Sequence, residues 1–272
     1  NPFEPNEYPI IPSLELDFFP LNMPSMLDII TATEYAVALE PTRFNIGAIN
    51  LKTTDGKLVA VATDGHRLVE ITRDIPAPDM PQGINFTHFA LLKKAIKEGV
   101  KDKVEAFWGL WSETKTEIRT EYDYGDAIEA TENYTKIRKE VEYQTTSQRL
   151  VFLIGSKVLI CRLFNGEFPD YTSVLPSDTG AKLTFNTAEL VSSLQEAKGC
   201  LDDRTDVVIF SVNGDCKILT PFSKDKGRYE KTIEVKTEKP TGLLEVGYNC
   251  KYLLDVLTRA IAPTVNFLFE SN

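Results

Sequence analysis

The most informative stretch of the chain is Val59-Ala60-Val61-Ala62-Thr63-Asp64-Gly65-His66-Arg67-Leu68-Val69. Its pattern predicts an apolar strand, a tight Asp-Gly turn and a second strand. The turn carries His66 and Arg67, two side chains that can be positively charged and can meet a partner there. A hairpin of this kind is common, so its meaning depends on the segments that accompany it.

A second signal is a local pattern that recurs along the chain, in which an extended apolar segment and a capping residue precede an amphipathic helix. The pattern occurs at Ile84–Ile96, Leu183–Leu194 and Val246–Leu257, and in a looser form from Leu14 to Ala36, with N-caps predicted at Thr87, Asn186 and Asn249. Predicted helix starts near 24, 88, 187 and 250 are about 63 residues apart in both halves, which suggests two internally duplicated domains. The alternative is two unrelated α+β domains whose junctions look alike by chance.

Short strands and tight turns lie between the predicted helices. Turns are predicted at Asp55-Gly56, Asp64-Gly65, Asn165-Gly166 and Asn213-Gly214, next to strands such as Lys57–Ala62 and Val207–Val212. The repeating order of one helix and three or four strands predicts an α+β fold with antiparallel sheets.

Composition excludes several classes of protein. The 272 residues carry a net charge of −10, which argues against a protein that grips nucleic acid with its whole surface but does not exclude contact through a small, weakly positive surface. The sequence has neither a membrane-length apolar run nor a signal-peptide pattern, so we expect a cytoplasmic location. The four cysteines, Cys161, Cys200, Cys216 and Cys250, are scattered, and we expect them to be reduced, buried and inert rather than zinc ligands.

Three segments in this order and spacing resemble the sliding clamp family, the beta subunit of bacterial DNA polymerase III. They are the first hairpin, Gly166–Pro176 and Tyr248–Leu257. The resemblance implies a DNA-clamp fold of repeated helix-plus-antiparallel-sheet domains. It assigns residues 1–12 to the end of the first domain, 13–178 to the second, and 179–272 to a third that is incomplete at its end. The family's closing strand is missing after Asn272, so we expect a fragment.

One segment departs from the family pattern. Residues 112–146 hold nine acidic and five basic residues where relatives have a short connection. A protruding hairpin or a mobile excursion fits this charge pattern. A solvated extension without a task and a binding role both stay open.

The resemblance also implies a function. A sliding clamp encircles duplex DNA without reading its sequence and gives the replicative polymerase its processivity. Its peptide-binding groove tethers the polymerase, the clamp loader and repair proteins through linear motifs. The full-length protein is expected to form a homodimer ring, without a cofactor, a metal, a membrane or catalysis, since no nucleophile, P-loop or metalloprotease signature is present. The alternative is a clamp-like peptide-binding adaptor without a DNA role.

Site residues follow from the same motif match. The groove positions are Arg43, Ile46, Thr63, Gly65, His66, Arg67, Leu68, Pro169, Ser173, Val174, Asn249 and Tyr252. Ser173 stands where relatives often have an arginine. The DNA-facing candidates are Phe44, Asn45, Lys93, Lys94, Lys97, Lys198, Lys251 and Arg259. For the cations, a solvated helix face is the alternative, and Arg67 can instead form a structural salt bridge to Asp64 or Asp170.

Overall fold

The computed structural model describes residues 16–39, 46–123, 137–164, 166–175, 181–201, 206–238 and 243–269. Its contacts divide the chain into two compact units. The described residues of the first unit lie within Asn1–Ile30, Ala38–Ala62 and Glu70–Glu167. Those of the second lie within Thr31–Val37, Thr63–Val69 and Phe168–Asn272. Two short early segments of the chain therefore belong to the same unit as its C-terminal part.

The helices are α1 (Met23–Thr33), α2 (Phe89–Asp102), α3 (Thr187–Cys200) and α4 (Cys250–Leu257), with 3-10 turns at Glu34–Ala36 and Thr172–Val174. The strands of the first half are β1 (Phe19–Pro20), β2 (Ile49–Thr54), β3 (Lys57–Thr63), β4 (Leu68–Arg73), β5 (Ile84–Phe86), β6 (Ala106–Asp123), β7 (Ile137–Ile154) and β8 (Lys157–Arg162). Those of the second half are β9 (Ala181–Asn186), β10 (Val207–Asn213), β11 (Asp215–Leu219), β12 (Glu230–Ile233), β13 (Lys236–Glu238), β14 (Leu244–Asn249) and β15 (Thr264–Phe269).

The first half of the chain forms two four-stranded sheets, with strand orders β4-β3-β2-β5 and β1-β6-β7-β8. The core of the first unit is built around Trp108, whose ring stacks on Phe152 at a centroid distance of 5.9 Å and whose indole N–H donates to the Pro76 carbonyl at 3.0 Å. Helix α2 covers this core with one face, on which Leu92 and Ile96 are fully buried, while Lys94 and Lys97 are exposed. That spacing is the apolar stripe of an amphipathic helix.

The second unit likewise combines helices with two antiparallel sheets, here of four and three strands. Its sheets have the orders β12-β11-β10-β14 and β13-β9-β15. An aromatic cluster links the two sheets, because Phe185 of β9 contacts Phe210 of β10 at 6.0 Å and Phe267 of β15 at 5.1 Å between ring centroids. The buried faces of α3 and α4 contribute to the same core.

Strands β6 and β7 continue past the strands that flank them in the sheet and form a long antiparallel hairpin. The two strands have 18 residues each and stay in register from Ala106↔Ile154 to Asp123↔Ile137. A protruding hairpin, one of the two alternatives for residues 112–146, is therefore what the described strands form. Residues 124–136, between the two strands in sequence, lie outside the described part of the chain.

Helix starts are predicted correctly, and the caps are predicted correctly at two of three positions. The side chains of Asn186 and Asn249 accept hydrogen bonds from the backbone N–H of Glu189 and Tyr252, at 3.0 and 3.1 Å. Thr87 is wrong as a cap, because His88 occupies the N-cap of α2 and makes no side-chain capping bond.

One turn prediction lies partly outside the described residues, and one strand prediction needs correction. The turn predicted at Asn165-Gly166 includes Asn165, which is not described; its neighbour Phe164 bridges to Asn85, and the next described strand, β9, pairs with β13 and β15. The extended segment predicted from Leu14 to Phe18 is described only from Leu16 onward and is not a strand there; the described strand is Phe19–Pro20.

Cysteine burial follows the sequence prediction at three of four positions. Cys161, Cys216 and Cys250 are buried, and burial raises the pKa of these thiols to about 12, 12 and 11. Cys200 is only partly buried, so the prediction is wrong there. Among the described helices, none is long and apolar enough to cross a membrane.

The Asn186 cap can be tested by substitution. Asn186→Ala removes the acceptor for a backbone N–H of α3 and should lower the free energy of unfolding by about 1 kcal/mol, whereas Asn186→Asp should retain the cap. Thr87→Ala, at the position that does not cap, should change stability by less than about 0.5 kcal/mol. Urea unfolding followed by circular dichroism measures all three. Equal losses at Asn186 and Thr87 would contradict the assignment of the caps.

Candidate functional site

The turn between β3 and β4 is held by its own side chains. The Thr63 hydroxyl donates to the Arg67 carbonyl at 2.7 Å and accepts from the Gly65 N–H at 3.1 Å. The Asp64 carboxylate accepts from the backbone N–H groups of His66 and Arg67 at 3.0 and 3.1 Å. Gly65 has a φ of +87°, which glycine adopts without strain. The turn therefore presents His66 and Arg67 on a fixed backbone.

Arg67 is the centre of the site, since each nitrogen of its guanidinium has a different acceptor. Its Nε donates to Asp64 at 3.0 Å, its Nη1 to Asp255 at 2.7 Å and its Nη2 to the Tyr35 carbonyl at 2.5 Å. The fork of donors on arginine allows such multiple pairing. Arg67 thus joins the turn to α4 and to the 3-10 turn after α1, all within the second unit.

The rings of Tyr35 and Tyr252 also contact Arg67, and we call these residues, with Asp64, Asp255 and Arg259, the Arg67 cluster. The Cζ atom of Arg67 lies over the ring of Tyr252 at 4.3 Å and over that of Tyr35 at 5.1 Å from the ring centroids. Arg259 lies over Tyr35 as well, at 4.7 Å, and its Nη1 donates to the Asp255 carbonyl at 2.6 Å. These distances are within the range of cation–π attraction.

Charge pairing shifts the pKa values of the cluster. Burial alone raises the pKa of the Asp64 carboxyl, but hydrogen bonds from the backbone of His66 and Arg67, together with the Arg67 guanidinium, more than offset it, so the pKa lies below 3.8. Desolvation by burial opposes the charge of Arg67, yet Asp255 and Asp64 outweigh it and raise the pKa of the guanidinium. Burial also raises the pKa of Tyr35, although Arg259 and Arg67 counteract it.

The structure brings together some of the predicted groove residues. Thr63, Arg67 and Tyr252 meet in the cluster just described, and Asn249 caps the helix that carries Tyr252. Gly65 and His66 are exposed next to it, and Leu68 is partly buried at the start of β4. Their use as a peptide-binding surface stays a prediction.

The remaining predicted groove residues lie in other parts of the chain. Pro169, Ser173 and Val174 are exposed on and just before the 3-10 turn Thr172–Val174. Ile46 lies in the first unit, and Arg43 is outside the described residues. The convergence of these positions with Arg67 stays a prediction as well.

The DNA-facing candidates differ in how they are paired. Lys94 and Lys97 are exposed on α2, Lys93 on the same helix is partly buried, and Lys198 is exposed on α3. Lys251 forms a salt bridge with Asp206 at 2.8 Å, and Arg259 with Asp255 at 3.6 Å. Phe44 and Asn45 lie outside the described residues. Lys94, Lys97 and Lys198 are thus exposed on helices, and their contact with DNA stays a prediction.

Sequence reasoning missed two residues of the cluster and gave one wrong alternative. Tyr35 and Asp255 lie 32 and 188 residues from Arg67. Tyr35 is outside the three motif segments, and Asp255 lies within Tyr248–Leu257 but is not among the predicted groove residues. Asp170 is wrong as the salt-bridge partner of Arg67, because its carboxylate accepts from the Thr172 N–H and hydroxyl at 3.0 and 2.6 Å. Asp64, the other alternative, is correct. Among the described residues, no three His, Cys, Asp or Glu side chains are grouped to hold a metal ion.

Comparison with known proteins agrees with this architecture. Residues 172–272 match the family described as DNA polymerase III beta subunit, C-terminal domain. The beta sliding clamp of Caulobacter vibrioides is 25% identical over 248 residues, covering 90% of this chain and 57% of that protein. That of Rickettsia bellii is 21% identical over 261 residues, covering 93% and 60%. The chain is thus similar to bacterial beta sliding clamps, and its residues 172–272 match the C-terminal domain of the DNA polymerase III beta subunit.

Solved sliding clamp structures have the same fold. The DNA polymerase III subunit beta of Pseudomonas aeruginosa aligns with a TM-score of 0.74 at 20% identity, over 98% of this chain and 63% of that one. A sliding clamp from Bartonella birtlesii, solved with griselimycin bound, aligns with a TM-score of 0.71 at 21% identity, over 97% and 63%. The chain thus spans about 60% of the length of the sliding clamps that it matches.

The Asp64 contacts predict a specific acid sensitivity. Because the folded-state pKa of this carboxyl is below that of the unfolded chain, its contribution to stability is present above about pH 3.8 and is lost as the pH falls through the folded-state value. Asp64→Asn should therefore lower the free energy of unfolding by about 0.5–1 kcal/mol at pH 7. The loss is small because solvent screens the ion pair of Asp64 and Arg67.

The difference from the parent protein should shrink towards zero as the pH falls below 3.8. Urea unfolding at a series of pH values measures it, with Asp170→Asn as a matched carboxylate that has no arginine partner among the described residues. A difference that stays constant with pH would contradict the role of the Asp64 charge.

Proposed function

We propose that this protein acts as a sliding clamp, a ring component that encircles duplex DNA and keeps the replicative polymerase attached to it. The observation that carries the proposal is the Arg67 cluster, in which two of the three family motifs meet although 188 residues separate Arg67 from Asp255. The family match and the shared fold support it.

The domain assignment belongs to the same proposal. Residues 13–178 correspond to the middle clamp domain, with 112–146 as a charged insertion, and 179–272 correspond to the third domain. Residues 1–12 are the end of the first. The presence of two four-stranded sheets in the first half and a similar helix-and-sheet set in the second supports this division.

The proposed activity is non-catalytic and needs no cofactor. A ring is retained on DNA by its topology, so its inner surface needs only weak, sequence-independent contacts with phosphates. The full-length protein would form the ring as a homodimer in the cytoplasm, where the chromosome lies. The polymerase, the clamp loader and repair proteins would bind through short linear peptides at the groove residues.

The charge distribution supports a limited DNA contact. The chain has a net charge of −10, and its exposed helix lysines include Lys94 and Lys97, one turn apart on α2. Such a pair can attract phosphates without making the whole surface basic. The pairing of Lys251 and Arg259 with carboxylates lowers their contribution, and this observation favours the alternative, a clamp-like peptide-binding adaptor without a DNA role.

A DNA-binding experiment separates the two functions. The protein should bind duplex DNA weakly and without sequence preference, and the affinity should fall steeply with salt. Lys94→Glu/Lys97→Glu should lower the slope of log K against log salt by about 1.8, since each lost phosphate contact contributes about 0.9. Fluorescence anisotropy on a labelled duplex at several salt concentrations measures the slope.

The matched control is Lys224→Glu/Lys236→Glu, which makes the same charge change at exposed residues away from the helices. It should alter the slope much less. Equal effects of both double variants, or no binding by the parent protein, would favour the adaptor.

The peptide site can be tested separately. A labelled peptide with a glutamine and a Leu-Phe pair should bind, and griselimycin should compete with it if the site resembles that of the Bartonella protein. Leu68→Asp should abolish binding by placing an unpaired charge against apolar peptide side chains. Lys94→Ala should leave it intact. Anisotropy titration measures both, thermal unfolding checks that Leu68→Asp is folded, and equal effects of the two substitutions would contradict the assigned site.

A further inference from the structure

We propose that Asp255 is a positioning residue of the peptide site: acting through Arg67, it holds the ring of Tyr252 in one orientation for a bound peptide. This inference rests on the proposed function. It concerns Asp255, which lies within the motif Tyr248–Leu257 but is not among the predicted groove residues, and it gives Arg67 a supporting role rather than a direct contact with the partner.

Asp255 is well placed for this role. It lies on α4, three residues after Tyr252, so the two side chains lie on neighbouring turns of one helix face. Its carboxylate accepts from Arg67 Nη1 at 2.7 Å, and its other oxygen lies 3.6 Å from Nη1 of Arg259. The carboxylate therefore connects the helix to the turn that carries Arg67.

Arg67 needs this third acceptor to keep its plane fixed. Asp64 engages Nε and the Tyr35 carbonyl engages Nη2, so Asp255 supplies the remaining direction. The guanidinium side chain is only 18% exposed, which leaves little room for another partner. Three acceptors from separate segments define the orientation of the plane better than any two of them.

The fixed guanidinium supports the aromatic ring. Its Cζ lies 4.3 Å from the centroid of the Tyr252 ring, a close cation–π distance. Tyr252 is partly exposed, so it can contact a ligand while it rests on Arg67. Without Asp255, the Arg67 guanidinium can rotate, and the Tyr252 ring can adopt more rotamers. Peptide binding must then restrict the ring to one rotamer, and this entropy cost weakens the affinity.

The charges of the cluster indicate the kind of ligand. Two guanidinium groups, of Arg67 and Arg259, face two carboxylates, of Asp64 and Asp255, so the formal charges cancel. A neutral cluster gives no advantage to an acidic peptide. The partly exposed ring of Tyr252 instead favours an apolar side chain on an uncharged segment of the partner.

A double-mutant cycle tests the proposal on the intact 272-residue chain. The probe is the labelled peptide with a glutamine and a Leu-Phe pair, titrated by anisotropy. Asp255→Asn, which keeps the shape and removes the charge, should weaken binding by about tenfold in the parent protein but by less than about twofold in a Tyr252→Leu background. Asp255→Glu should restore part of the affinity.

The control is Asp206→Asn, which removes a carboxylate that pairs with Lys251 on the same helix without touching the cluster. It should change peptide affinity by less than about twofold. If Asp255→Asn weakens binding equally in both backgrounds, or has no effect, the proposal is overturned. A parent protein that does not bind the peptide would contradict the proposed function itself, and the inference would fall with it.

A second measurement does not depend on the peptide. The Nε–H signal of Arg67 in an NMR spectrum should be protected from exchange with water and shifted by the ring current of Tyr252. Asp255→Asn should abolish this protection, whereas Asp206→Asn should retain it. An unchanged Arg67 signal in the Asp255→Asn protein would overturn the proposal, whatever the peptide titrations give.

Discussion

The second unit depends on the hydrogen bonds of one partly buried cation, the guanidinium of Arg67. Arg67 is 18% exposed, and a guanidinium in such a position must find acceptors or lose more in desolvation than it gains. Its acceptors come from three places in the chain, the turn itself, Tyr35 and Asp255. All of these groups bind one planar guanidinium. The position of α4 relative to the β3–β4 turn is therefore fixed by the hydrogen bonds that Arg67 must make.

Local features could be predicted from the sequence, and contacts between distant segments could not. The caps at Asn186 and Asn249 and the turn at Asp64-Gly65 are decided by a few neighbouring residues, so their patterns suffice. Thr87 fails because His88 occupies the cap position. Asp255 lies within the motif Tyr248–Leu257, but nothing in the sequence pairs its carboxylate with Arg67, and only the folded chain does so.

Acidic side chains do more than set the net charge, because several of them pair with cations of the candidate sites. Asp206 engages Lys251, and Asp255 engages both Arg67 and Arg259. Helix α2 differs, since Lys94 and Lys97 stay exposed opposite a face on which Leu92 and Ile96 are buried. The charged residues of the candidate sites thus divide into those that are paired within the protein and those that stay exposed, a division that the sequence alone does not make.

The placement of the aromatic residues gives the two units different optical signatures. Both tryptophans of the chain, Trp108 and Trp111, lie on β6 in the first unit, one stacked on Phe152 and the other 5.1 Å from the Arg149 guanidinium. Tyrosines such as Tyr35, Tyr248 and Tyr252 belong to the second unit. Tryptophan emission excited near its red edge therefore observes the first unit alone, and its comparison with circular dichroism reveals whether the two units unfold as one.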